Sequence, residues 1–249
     1  MNTTSVLQQF RQSVYQILPK RADAMVDLVD ALTVAGHVDS PVALSEEAPY
    51  RRKFSSIYDT LGEGRIEAEQ VHPILEKQQP ADCEQIAGYD VYAMDCTPDE
   101  RPEAETLAER GFLKAQKNAP VRVGQKFSWL VRLVKQRTSW IAPWDVRRVK
   151  VDSNDNQTAV AQIKALDGQS KRPKVVVADS LYANQVFLAV FLVVHTVVAL
   201  VRLRQNVILC EQPKPRPAGK RGAPRKHGVA FRMGKSLRCL LYTSDAADE

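Results

Sequence analysis

Two aspartates carry the residue types and setting that could do chemistry. Asp95 in Tyr-Ala-Met-Asp-Cys-Thr-Pro and Asp179 in Val-Val-Val-Ala-Asp-Ser-Leu-Tyr each close an apolar, strand-like run. A carboxylate at the end of a buried strand is costly unless it holds a cation, and hard oxygen donors suit magnesium. In two-metal phosphoryl transfer, ions about 3.5–4 Å apart activate the attacking oxygen and stabilise the leaving one, and carboxylates hold them. Asp95 and Asp179 are therefore the candidate catalytic and metal-binding residues, with Mg2+ or Mn2+ as the expected ion. Taken singly, each also reads as a strand-end or helix-capping aspartate. Their common position favours a shared site.

The surrounding pattern has to bring them together. Residues 6–34 carry apolar side chains at helical spacing with a break at Pro19-Lys20-Arg21; Pro41 to Leu44 reads as a loop, and Tyr50 to Leu61 as a helix with Arg51, Arg52 and Lys53 on its first turn. From Gly88 the pattern becomes strands: Tyr89 to Asp95, Lys126 to Val134 and Trp140 to Val151, expected as an antiparallel meander. A helix over Asn156 to Leu166, a strand over Val175 to Ala178, a helix from Asn184 to Val193 and a strand from Thr196 to Leu203 complete the order β-β-β-α-β-α-β. That order predicts an α/β fold: a ribonuclease H-like mixed sheet flanked by helices and preceded by a helical region. It puts Asp95 and Asp179 on adjacent central strands. The expected division is 1–87 helical, for DNA binding or assembly, 88–210 the sheet domain, 211–238 a basic arm, and 239–249 a tail.

Composition narrows the partner. The chain has 249 residues, 44% hydrophobic content and a net charge of +6. Residues 211–238 hold nine lysines and arginines against one acid, so the basic character belongs to a segment. Its prolines and glycines exclude a helix or a buried strand and predict an extended, solvated arm. Lys214, Arg216, Lys220, Arg221, Arg225 and Lys226 could neutralise DNA phosphates there with counterion release. A solubilising linker is the alternative. Arg202 and Arg204, alternating along the last strand, are further phosphate-contact candidates, with a plain surface strand edge as the other reading.

Other classes are disfavoured. The four cysteines form no Cys-x-x-Cys pair, and the four histidines show no metal-site spacing. The apolar stretch Val186 to Val201 is interrupted by His195 and Thr196 and reads as core, because a spanning helix needs about 20 apolar residues. A bacterial cytosolic, nucleoid-associated protein fits, with no membrane partner. Trp129, Trp140 and Trp144 could stack bases, but read as packing residues.

The segment Asp95-Cys96-Thr97-Pro98-Asp99-Glu100-Arg101-Pro102-Glu103-Ala104-Glu105-Thr106 resembles the first catalytic-aspartate block of bacterial insertion-sequence transposases of the DDE type. Gly124 to Val131, Val177 to Asn184 and Leu200 to Asn206 are similar to later blocks of that family, and the resemblance covers about residues 45–235. It implies metal-dependent cleavage at the ends of a mobile element and joining of the freed 3′ hydroxyl to target DNA. Three acidic residues on a ribonuclease H-like fold do this chemistry, and Asp95 and Asp179 match the first two. Paired ends imply a dimer when the protein is complete. Tyr182 and Asn184 could contact DNA or orient Asp179, although Tyr182 also reads as a packing residue.

The third acid, a glutamate on a helix after the last core strand, has no counterpart, and Glu211 follows the strand too closely. Residues 239–249 look like one reading frame of a sequencing-library adapter, so the expectation is a chain cut near Arg238, with the last catalytic helix missing and little cleavage of its own. A natural acidic tail is the other explanation. Three readings follow: a transposase fragment, a non-catalytic DNA-binding regulator of transposition, and a ribonuclease H-like nuclease that does not join strands.

Overall fold

The computed structural model describes residues 3–80, 85–113, 120–134, 139–169, 171–204, 207–215, 222–223 and 225–232. Among them, five helices come first: α1 (Thr3–Gln16), α2 (Ala22–Val34), α3 (Pro41–Glu46), α4 (Ser55–Glu63) and α5 (Val71–Lys77). The apolar faces of α2, α3 and α4, with Tyr50 between the last two, meet in a small core of Leu28, Ala31, Leu44, Tyr50 and Ile57. The break between α1 and α2 falls at Pro19 to Arg21, where Arg21 takes a left-handed φ of 53°. Two expectations fail here. Pro41 to Leu44 is helical because Ser40 caps it, accepting a hydrogen bond from the Ala43 amide at 3.2 Å, and Pro41 suits the first helical turn. The next helix begins at Ser55, so Arg51, Arg52 and Lys53 precede it, and Arg52 is bound to Asp27 at 3.1 Å.

The sheet follows, built of β1 (Gln85–Ile86), β2 (Tyr89–Glu100), β3 (Gly111–Leu113), β4 (Arg122–Leu133), β5 (Ile141–Val149), β6 (Lys174–Ala178) and β7 (Val197–Val201), with α6 (Asp155–Asp167) between β5 and β6 and α7 (Gln185–Leu188) between β6 and β7. β2, β4 and β5 form an antiparallel meander, and β6 and β7 add in parallel on the other side of β2. The long strands thus run in the order β5-β4-β2-β6-β7, with β3 beside β4 and β1 beside β2. This is the mixed, ribonuclease H-like sheet flanked by helices that the sequence predicts.

One face of the sheet makes the main core. Tyr92 and Met94 of β2, Leu130 of β4, Trp144 of β5, Val176 and Ala178 of β6 and Val197 of β7 pack against Ala159, Ile163 and Leu166 of α6 and Phe187 of α7. α6 starts on a capping box, in which Asn154 accepts from the Gln157 amide at 3.0 Å and the Gln157 side chain accepts from the Asn154 amide at 3.2 Å. α5 docks on β5 through His72, whose Nδ1 lies 2.9 Å from the Trp144 carbonyl oxygen and whose ring meets the Trp144 indole edge-on at 4.3 Å. Of the three tryptophans, only Trp144 is fully packed; Trp140 is 85% exposed and Trp129 is partly exposed. Among the described residues, no helix is long and apolar enough to cross a membrane.

β2 runs five residues past its expected end. Its ladder with β4 continues through Asp95↔Trp129 to Glu100↔Gly124, whereas its ladder with β6 stops at Met94↔Ala178. Beyond Met94 the β6-side edge is open. The Arg101 amide donates to Val123 of β4 at 2.9 Å, so by alternation the nitrogen of Pro98 faces that open edge, where no donor is needed.

At the other end of the sheet lies a buried charge cluster. Asp90 binds Arg132 of β4 at 3.0 Å, accepts from Gln85 of β1 at 3.0 Å and pairs in register with Lys174 of β6. Burial lowers the Lys174 ammonium from its ordinary value, against the attraction of Asp167 and Asp90. Truncation by Asp90→Ala would leave two buried cations without it, and is expected to cost about 3–5 kcal/mol in urea denaturation. Asp167 accepts from the Thr196 amide and hydroxyl, both at 2.7 Å. Burial opposes its ionisation, but these bonds outweigh it and hold the carboxyl below its ordinary 3.8. A depressed folded-state value means stability that is complete above the unfolded value and lost as pH falls through the folded one. Acid denaturation curves should therefore show a loss below about pH 3.8 that is diminished in Asp167→Asn.

Candidate metal centre

The parallel register of β2 and β6 brings the two aspartates together. It runs from Asp90↔Lys174 to Met94↔Ala178, and Asp95 and Asp179 are the next residue on each chain. Neighbouring strands lie about 4.8 Å apart. Tyr92, Met94, Val176 and Ala178 point into the core, so alternation directs Asp95 and Asp179 to the opposite face, where both are exposed. Trp129, paired with Asp95 across β4, stands on that same face.

Each carboxylate has one oxygen fixed by backbone. Asp95 Oδ1 accepts from the Cys96 amide at 2.8 Å, a donor on the open edge of β2, and Asp179 Oδ1 accepts from the Leu181 amide at 2.7 Å. Among the described residues, neither Oδ2 has a hydrogen bond and neither aspartate has an ion pair. Two such hard oxygens fit Mg2+, which is held by one or two carboxylates and completes its shell with water and substrate phosphate. The described residues contain no group of three or more His, Cys, Asp or Glu side chains placed to hold a metal ion.

Behind the pair, on the core face, lies a layer of polar groups of which the sequence singles out Tyr182 alone. Lys126 of β4 binds both oxygens of Asp155 at 2.9 and 3.2 Å. Asp155 is thereby neutralised rather than offered to a cation. Burial first, and then Asp155, pushes the Cys96 thiol up to about 12. Tyr182 is fully buried, and its hydroxyl has no hydrogen-bond partner among the described residues. Burial chiefly, followed by the negative fields of Cys96, Asp95, Asp155 and Asp179, raises that phenol well above its ordinary value. For the others, the one signal available in sequence was the Asn154-x-x-Gln157 capping box, which places Asp155 and Asn156 on the first turn of α6.

The proposed DNA contacts divide. β7 ends at Val201, so Arg202 and Arg204 follow the strand rather than alternating on it; both are exposed. The Arg202 amide donates to the Ala178 carbonyl at 3.2 Å, which sets Arg202 next to Asp179. The basic segment is tied at its base rather than free. β8 (Ile208–Cys210) and β9 (Ala230–Arg232) pair as an antiparallel hairpin, and the Gly228 amide donates to Glu211 at 2.9 Å. A Cβ at Gly228 would meet the Gln212 carbonyl at 2.6 Å, so the closure requires glycine. Lys214, Arg225 and Lys226 are exposed on the loop between these strands, while Arg216, Lys220 and Arg221 lie outside the described residues, as do residues 239–249.

The sheet order and the paired carboxylates define a ribonuclease H-like domain with an acidic site on its open edge. The chain belongs to the DDE superfamily endonucleases, whose family model matches residues 13–241. This family acts on DNA and is generally dependent on a divalent metal. No curated protein matches the chain.

Two outcomes check the site's geometry. Asp95→Asn and Asp179→Asn remove exposed charges that pair with no described residue, so each should change the free energy of unfolding by less than about 0.5 kcal/mol. Thiol labelling at pH 8 should modify the exposed Cys210 readily and Cys96 hardly at all, because the thiolate is the reactive form.

Proposed function

We propose that the protein is a transposase of the DDE type, cutting mobile-element ends and joining them to target DNA through a magnesium or manganese ion held by Asp95 and Asp179. The observation that carries this is the pair of exposed carboxylates one step past the β2–β6 ladder, with Oδ2 free on each and no described cation neutralising either. The family membership and the blocks around Asp95, Gly124, Asp179 and Leu200 support it.

A bound divalent ion supplies charge at the scissile phosphate and makes its water a stronger nucleophile at neutral pH. The chain's own residues do the rest. Asp95 and Asp179 present Oδ2 to that ion while backbone amides hold Oδ1. Arg202, beside Asp179, meets the phosphate. Lys214, Arg225 and Lys226 on the hairpin loop, with Arg216, Lys220 and Arg221 of the same basic segment, hold the flanking duplex by phosphate contacts, which fix position without reading sequence. Joining at paired ends calls for a dimer. DNA as the substrate places the protein at the bacterial nucleoid.

One observation favours a second reading. Among the described residues no group of three acidic side chains is placed to hold a metal ion, where this chemistry uses three, so a non-catalytic protein that occupies element ends is the rival. With two ligands among the described residues, the protein is expected to bind DNA well and nick it slowly.

The test is plasmid nicking and DNA binding in Mn2+, with wild type, Asp95→Asn and Asp179→Asn. Slow nicking that both substitutions abolish, with DNA affinity unchanged, supports the transposase reading. Nicking that survives both substitutions overturns it, and DNA binding without any metal-dependent step installs the rival. Independently, replacing Lys214, Arg225 and Lys226 by alanine should flatten the slope of log K against log salt by about 2.7, from about 0.9 per lost phosphate contact.

A further inference from the structure

The β2–β6 ladder ends at Met94 and Ala178, so it does not itself hold Asp179, which opens a six-residue loop leading to α7. Tyr182 seats the middle of that loop in the main core, and the polar tie of the loop to the helices is Asn184. Its Nδ2 donates to the Leu181 carbonyl at 3.0 Å, closing the loop on itself, and to Asn156 Oδ1 of α6 at 2.7 Å. Its Oδ1 accepts from the Phe187 amide at 3.2 Å, capping α7. One amide thus ties the loop, α6 and α7, with both donors and the acceptor used. Leu181, whose carbonyl Asn184 holds, is the residue whose amide holds Asp179 Oδ1.

The link continues to Asp95. Asn156 adjoins Asp155, which Lys126 fastens to β4, and β4 carries Trp129 in register with Asp95. The two carboxylates are therefore joined twice: once by the ladder behind them, and once by a side-chain circuit from β4 through Lys126, Asp155, Asn156, Asn184 and Leu181 to Asp179.

We infer that Asn184, through Asn156, is a positioning residue that sets the separation of Asp179 from Asp95 and so the affinity of the site for a divalent ion. This rests on the reading of the two aspartates as ligands. Partners that orient metal ligands are typically worth 10–100-fold in affinity.

The test uses Mn2+ alone, titrated into the full chain and followed by electron paramagnetic resonance, together with hydrogen exchange at the Leu181 amide. Asn184→Ser keeps an oxygen for the Phe187 amide and removes both amide N–H donors, leaving a hydroxyl too short to reach Asn156; Asn156→Ala removes only the cross-link. Both should weaken Mn2+ binding tenfold or more and speed exchange at Leu181. The double variant should be no weaker than Asn184→Ser alone, because the two residues serve one link. Should Asn184→Ser fail to fold, Asn156→Ala decides by itself. Mn2+ affinity within twofold of wild type in Asn156→Ala overturns the inference, leaving the contact structural. Wild-type Mn2+ affinity in Asp95→Asn and Asp179→Asn is a different failure, since it removes the metal reading on which the inference stands.

Discussion

Asp90 is the contact on which the placement of the site depends. It is buried at the start of β2, between Arg132 of β4 and its register partner Lys174 of β6. A buried carboxylate is tolerable only with its cations in place, so a one-residue slip of β6 would remove Lys174 from its register and turn every side chain of the strand to the other face. Four residues further along, the same register delivers Met94 beside Ala178, and the next residue on each chain is an aspartate. The charge cluster and the acidic site stand at opposite ends of one short parallel ladder. The cluster's geometry is strict, whereas the carboxylates at the far end are exposed and contribute little to the fold.

Much of this arrangement was legible from residue pattern, and the exceptions have physical reasons. The apolar runs Tyr89 to Met94 and Val175 to Ala178, with the helical spacing between them, gave the element order and hence the adjacency of Asp95 and Asp179. β2 extends beyond Asp95 because β4 keeps pairing with it, and Thr97 to Glu100 look like a turn only when that partner is ignored. Pro98 is tolerated inside the strand because its nitrogen faces an edge that β6 has already left. Pro41 to Leu44 reads as a loop because a helix of six residues is too short to show a period, and what starts it is the Ser40 cap with Pro41 on the first turn. The hairpin that closes the basic loop was hidden because each of its strands is three residues long, and neither shows a period by itself.

Most of the residues behind the carboxylates could not be read from sequence. Asn184 stands out through the resemblance as a residue that could orient Asp179, but Lys126 lies on β4 and Asp155 and Asn156 on the first turn of α6, where the capping box marks a helix start and no more. Their meaning is set by what the topology brings near. Once α6 is seated on the sheet by Ala159, Ile163 and Leu166, its first turn arrives at the end of β2 and β6, where Asp155 finds Lys126 and Asn156 finds Asn184. The apolar seam of α6 therefore fixes the angle at which the polar contacts meet, and those contacts, together with the buried Tyr182, hold the loop beyond the ladder.

The division between Asp155 and the two outer aspartates follows from the same geometry. All three carboxylates act on the buried Tyr182 phenol, so they share one electrostatic neighbourhood. Asp155 lies on the core face and is only slightly accessible, which is why it carries Lys126 with it. Asp95 and Asp179 lie on the open face, where water solvates them and no described cation is spent on them. In the proposed reading, an arginine or lysine paired to either would stabilise the protein slightly and compete with the divalent ion. Unpaired, the two carboxylates keep their negative charge, and the backbone amides of Cys96 and Leu181 hold one oxygen of each without neutralising it. The proposed site, which would accept a cation and then a phosphate, is served by carboxylates held through neutral donors, and the open edge of β2 together with the turn after β6 supplies one such donor for each.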